Sequence, residues 1–181
     1  MVGTAPQARF AEVFLPHLAD AYRLARWLGG SRADADDIVQ EASLRAFRGI
    51  AGFGGVNARG WVLSIVRNAA FTWLARNRPA ALVLADDLGE DERARLEAGK
   101  MEAGGEETPE AALIARGNAA EVRALMAELP VNLREVLVLR EIHELRYREI
   151  AEIIEAPIGT VMSRLARARR MMIAALQRNS E

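Results

Sequence analysis

Four residues near the C-terminal end, Thr160, Ser163, Arg164 and Arg167, are of types that read nucleic acid. Arginine forks onto a guanine edge, and hydroxyls donate to phosphates or bases. Their spacing places them on one face of a helix. Such a face needs a brace, and a helix-turn-helix supplies one: its first helix holds the second in the major groove. Tyr147 to Ile154 and Ile158 to Gln177 have the lengths for that pair, with Pro157 at the turn. Ile150, Ala151 and Ile154 supply the inner face of the first helix; Val161, Leu165, Ala168 and Met172 supply that of the second. Ala151 is small enough to let the two cross closely. Glu155 stands where many such turns have glycine, which predicts an unusual backbone there. The alternative is an ordinary helical pair with a solvated arginine face; turn length, Ala151 and the grouped polar residues together favour DNA.

The remaining helices fall into two groups. From about Gln7 to Leu28 the pattern is helical and stops at Gly29-Gly30, with a kink or break expected at Pro16. Ser31 and Asp34 form a capping-box pattern that starts the next helix. Ile38, Ala42, Ala46 and Phe47 should face its core, while Asp34, Asp37, Glu41 and Arg48 form another, mostly acidic face. Gly49 to Gly55 ends it in a glycine-rich loop. A third stretch, about Asn57 to Asn77, carries Trp61, Ile65, Ala69 and Trp73 at steps of four. Further on, Leu129-Pro130 breaks the chain, Asn132 with Glu135 reads as a second capping box, and Val136, Leu139 and His143 share a face. No strand-like alternation or internal repeat stands out. The expected fold is all-α: two small helical domains, 1–78 and 119–181, joined by an acidic flexible linker, 79–118, with a possible helix near 90–97 and helix resuming from about Glu110.

Charge is sorted by region. The chain of 181 residues has a net charge of −1. Pro79 to Glu110 nevertheless holds ten acids against three bases, a net of −7 that leaves the rest of the chain at about +6. There is no cysteine, which removes disulfides and thiolate zinc sites. His17 and His143 stand far apart and make no metal site, no phosphate loop or nucleophile elbow occurs, and no cofactor is expected. No apolar stretch approaches the roughly 18 residues that cross a bilayer. A soluble, cytoplasmic, non-enzymatic protein without membrane insertion is expected.

The motifs resemble a known family. Leu129-Pro130, Arg134-Glu135-Val136-Leu137, Tyr147-Arg148-Glu149-Ile150-Ala151 and Ile158-Gly159-Thr160-Val161-Met162-Ser163-Arg164-Leu165 look like region 4 of the extracytoplasmic-function (ECF) sigma factors. Ala33 to Ala42, Leu44 to Arg48 and Trp61 to Asn68 resemble their region 2, in the family order. The resemblance implies a protein that binds core RNA polymerase, through its β′ and β subunits, and directs it to promoters. It implies docking on the β′ coiled coil by Asp37, Gln40 and Glu41, with Asp34 and Phe47 as lesser candidates. It implies −10 contacts by Arg59, Trp61, Arg67, Asn68, Arg76 and Arg78, with the loop from Gly49 to Asn57 reading bases. Single-stranded bases need stacking surfaces and cations, so the residue types suit; Trp61 and Trp73 also fit ordinary core positions. Phe71-Thr72-Trp73 stands where many members have Asp and Arg. The resemblance further implies −35 contacts by Thr160, Ser163, Arg164 and Arg167, a linker that mimics RNA near the exit channel, and an anti-sigma partner. The alternative is a stand-alone helix-turn-helix repressor or activator, which leaves the acidic stripe at Asp34 to Glu41 without a purpose.

Overall fold

The computed structural model describes residues 5–82 and 119–179. These residues are helical throughout, with short turns and no strand among them. The expected linker from residue 83 onward, and the possible helices near 90–97 and from 110, lie outside the described residues. Residues 79–82 are still helical, and Leu82 packs on the core, so the first lobe extends past Arg78.

The N-terminal lobe contains α1 (Ala5–Phe14), α2 (Leu18–Gly29), α3 (Arg32–Gly49) and α4 (Ala58–Asn77). Pro16 produces the expected break: a 3₁₀ turn, Leu15–His17, separates α1 from α2. Gly30 ends α2 at φ +100°, a backbone that glycine adopts without strain. At Gly29 an added Cβ would lie 2.9 Å from both Asp34 Cβ and Ile38 Cδ1, so only glycine lets α2 approach the start of α3 this closely. The capping box that opens α3 is complete. Asp34 N–H donates to Ser31 Oγ at 3.0 Å, and Ser31 N–H donates to Asp34 Oδ2 at 3.0 Å.

Ile38, Ala42 and Ala46 are buried as expected. Phe47 is not: it is 41% exposed, with its ring edge-on to Phe10 at 5.6 Å. One helical step past Ala46 carries it off the buried stripe. The α4 stripe is also rotated from the expected steps of four. Val62, Leu63, Val66, Ala69, Ala70 and Leu74 are buried, whereas Trp61, Ile65 and Trp73 lie at its margins.

The C-terminal lobe contains α5 (Ala119–Glu128), α6 (Val131–Leu137), a π-helical turn (Val138–Ile142), α7 (Tyr147–Ile154) and α8 (Ile158–Asn179). Helix α6 and the π-helical turn after it form the centre of this lobe: Val131, Leu133, Val136, Leu137, Val138 and Leu139 are all at most 2% exposed. The expected Asn132–Glu135 capping box does not form. Pro130 is the N-cap, with no side-chain cap, and its carbonyl accepts from Leu133 and Arg134 N–H. Asn132 and Glu135 therefore lie inside the helix, 6% and 0% exposed. Val136, Leu139 and His143 do share a buried face. The turn before α8 adopts the expected backbone, with Glu155 left-handed at φ +54°. Ile150, Ile154, Val161, Leu165, Ala168 and Met172 are buried as expected; Ile153, not anticipated, joins them at 2% exposure, and Ala151 is half-buried.

Contacts between α4 and α7, and between α2 and α6, bring the lobes together.

Candidate nucleic-acid interface

The helix-turn-helix has the expected extent. Glu149 accepts from Arg146 N–H at 2.8 Å and covers the first turn of α7. Pro157 carbonyl accepts from Thr160 and Val161 N–H and starts α8. Thr160, Ser163 and Arg167 are half-buried on one side of α8, and Ser163 hydroxyl donates to the Thr160 carbonyl at 3.1 Å. Arg164 does not share their outlook. Its guanidinium turns inward to Glu135 Oε1 at 3.4 Å, leaving the side chain 20% exposed. The arginine expected to read bases here braces the recognition helix against α6.

Glu135 is the residue that sequence reasoning placed wrongly. It is fully buried and receives a second arginine, Arg67 of α4, at 2.9 Å from Nε to Oε2. Burial pushes its carboxyl above the usual glutamate range despite the two cations. The signal in the sequence was present: in the run 131–139 only Asn132, Arg134 and Glu135 are polar. A carboxylate in such a run needs paired cations rather than a cap.

The residues expected near the −10 element lie along α4 and its C-terminal end, but they differ in availability. Arg59 pairs with Asp20 at 2.7 Å, and Arg67 pairs with Glu135 and lies 4.1 Å over the Phe71 ring. Asn68 Oδ1 accepts from Arg67 at 3.1 Å. Arg78 donates to the Gly29 carbonyl at 2.7 Å and pairs with Asp34 at 2.9 Å, closing the lobe. Arg76 is exposed. Trp61 packs on buried Phe53 at 5.0 Å between ring centres and is half-buried, nearer to the core reading than to an open stacking surface. The loop between them leaves Gly54, Gly55 and Val56 exposed, Val56 at 82%.

The stripe on α3 separates in the same way. Asp37 and Gln40 are exposed, next to Leu44 and Phe47, which are 47% and 41% exposed. Glu41 is half-exposed and accepts from Arg45 at 2.7 Å, and this hydrogen bond lowers its pKa. Asp34 is committed to the cap and to Arg78. Burial pushes its carboxyl up, but the bonds from Ser31 and the charge of Arg78 outweigh this and hold it below the usual range. Asp20 and His143, unassigned from sequence, meet between the lobes at 3.6 Å. Burial pushes His143 down to about 4, against the pull of Asp20 and with the help of Arg59 and Arg23. Among the described residues no group of His, Asp and Glu could hold a metal, and no helix is long and apolar enough to cross a membrane.

Comparison with known proteins agrees with this geometry. Residues 13–79 match the family model for Sigma-70 region 2, and residues 119–172 match that for Sigma-70, region 4. The chain is 36% identical over 148 residues to the RNA polymerase sigma-H factor of Pseudomonas aeruginosa, covering 80% of this chain and 74% of that one. It is 35% identical over 147 residues to the ECF RNA polymerase sigma-E factor of Haemophilus influenzae, covering 78% and 74% respectively. Two solved structures share the fold. One is the sigma factor RpoE in complex with the anti-sigma factor NepR from Bartonella quintana, with TM-score 0.61, 21% identity and coverage of 90% of this chain and 93% of that one. The other is CnrH in complex with the cytosolic domain of CnrY, with TM-score 0.63, 23% identity and coverage of 94% and 89%. With both sigma regions present in order and curated relatives matched over most of their length, this chain belongs to the ECF sigma factors of RNA polymerase, the non-catalytic subunits that direct the enzyme to promoters.

Proposed function

We propose a division of labour between the lobes. The N-terminal domain, 1–78 with its helical extension to 82, docks on the polymerase β′ coiled coil and holds the melted −10 element. The C-terminal domain, 119–181, binds the −35 element as duplex and meets the β subunit. The observation that carries this reading is the exposed stripe on α3, where Asp37 and Gln40 stand beside Leu44 and Phe47. Acidic and apolar groups side by side suit a partner helix that is basic at its rim and apolar at its centre. Asp34 has a structural task in place of the docking role first expected of it. On α4, Arg76 and the exposed loop Gly54 to Val56 are the groups ready for single-stranded DNA, with Arg59, Arg67, Asn68, Arg78 and Trp61 behind them. On α8, Thr160, Ser163 and Arg167 face the duplex, and Arg164 positions them through Glu135.

An anti-sigma protein that masks both lobes is the expected regulator, and the structural neighbour RpoE was solved in complex with the anti-sigma factor NepR. The cytoplasm, where polymerase works, is the expected location.

The test is pulldown with core polymerase followed by run-off transcription. Charge reversal at Asp37 and Glu41 should lower core affinity with the fold unchanged by circular dichroism. Unchanged affinity in competition would remove α3 as the docking face. Arg167→Ala should weaken duplex −35 binding by roughly 1–3 kcal/mol while core association persists.

A further inference from the structure

Polar groups link the lobes at several points. Arg67 of α4 reaches across to Glu135 of α6 with Nε at 2.9 Å, and its Nη2 lies 3.5 Å from the other carboxylate oxygen. Asp20 of α2, already holding Arg59, faces His143 of the C-terminal lobe at 3.6 Å. Arg134 of α6 donates to the Trp27 carbonyl of α2 at 3.3 Å. Two of the arginines assigned to the −10 strand are therefore committed to carboxylates at or beside the interface. The start of α4 adds to this: Asn57, Gly60, Trp61 and Ser64 line a cleft of about 200 Å³ closed on its other side by Glu152 and Ile153 of α7.

The two arginines on Glu135 are not equivalent. Arg164 belongs to the same lobe as the carboxylate, and Arg67 does not. If the lobes separate, Glu135 keeps one cation and Arg67 loses its carboxylate partner. We infer that Arg67 and Glu135 form an intrachain latch: the free protein holds its lobes closed, with Arg67 withdrawn from nucleic acid, and opening releases Arg67 while Arg164 keeps Glu135 neutralised. The asymmetry makes this a switch rather than a simple buried pair, because neither state leaves the buried carboxylate without a counter-charge. The part played by Arg67 on DNA rests on the function proposed above; the closure itself does not.

The absence of cysteine makes the test direct. Ala75→Cys in α4 and Gln177→Cys in α8, both exposed positions, accept a donor and acceptor dye pair, and energy transfer in the free full-length chain reports closure. Arg67→Gln disrupts the latch from the N-terminal side and leaves the Glu135–Arg164 pair intact. Glu135→Gln disrupts it from the other side. Each should lower transfer efficiency, the closed-to-open ratio falling roughly tenfold or more, and the double variant should open little further. Transfer unchanged in Arg67→Gln, with native circular dichroism, overturns the latch even if Glu135→Gln fails to fold. A wild-type chain already open, with transfer insensitive to Arg67→Gln, overturns it equally. A separate measurement isolates the DNA role: if Arg67→Gln opens the free chain yet melts promoters normally once bound to core polymerase, the latch stands and the −10 assignment of Arg67 falls.

Discussion

Asp34 and Glu135 have much in common and end with opposite electrostatics. Each lies on a helix, and each gathers an arginine from a distant part of the chain, Arg78 for one and Arg67 for the other. Asp34 stands at the rim of the protein, where Ser31 and its own helix N-terminus hold the charge. Its carboxyl is pulled below the usual range. Glu135 lies inside the protein, where even two guanidinium groups do not offset the loss of water. Its carboxyl is pushed above the usual range. Ion pairing favours the charge in both cases; burial decides the outcome.

That contrast predicts a ranking of effects. The largest belongs to Glu135. Glu135→Ala leaves Arg67 and Arg164 facing a void and should cost about 3–5 kcal/mol in urea denaturation. Equal costs for Glu135→Ala and Asp34→Ala would break the comparison.

Acid titration comes next. His143 is held near 4 against the usual 6.5, so the unfolded chain takes up its proton first as pH falls. The stability that neutral His143 contributes is complete above about pH 6.5 and drains away down to about pH 4, by at most on the order of 3 kcal/mol. Glu135 opposes this loss, because its raised pKa makes the folded state the better proton acceptor. Asp34 adds a loss only below its ordinary 3.8. Denaturation midpoints across this range should fall for the wild type and flatten for His143→Gln. A flat wild-type profile would show that His143 is protonated in the folded chain.

Ser31→Ala should cost about 1 kcal/mol, the usual value of an N-cap side chain, read as a shift in the denaturation midpoint. The smallest effect is a gain. Glu155→Gly relieves a left-handed glutamate and should raise stability by roughly half to one kcal/mol. No gain would mean that the Glu155 side chain offsets its backbone strain.

The Ser31 and Asn132 motifs also show how far the sequence could be read. Ser31-x-x-Asp34 follows two glycines, which stop the preceding helix and leave Ser31 free to cap. Asn132-x-x-Glu135 has Pro130 two residues ahead of it, and Pro130 took the cap itself. The same spacing had different meanings because the residue ahead of it differed. Helix extents, the break at Pro16 and the inner face of the helix-turn-helix follow from local periodicity and could be read directly. Arg164 could not. Its step along α8 is compatible with either face, and only the packing of α6 turns it inward. Phe47 failed for a similar reason, since one position beyond a buried alanine is a rotation of about 100°. The links between lobes, Arg67 to Glu135 and His143 to Asp20, join residues 68 and 123 positions apart, which no local pattern reports.

The close approach at Gly29 has a consequence for genetics. Any side chain there must displace Asp34 or Ile38, and so shift the whole of α3. The residues proposed to face polymerase ride on that helix. A screen for variants that fail to bind polymerase should therefore recover substitutions at buried Gly29 alongside contact residues. Suppressors would sort the two: a compensating change in the partner helix should rescue a lost contact at Asp37, whereas only a smaller residue at a neighbouring core position should rescue a misplaced α3.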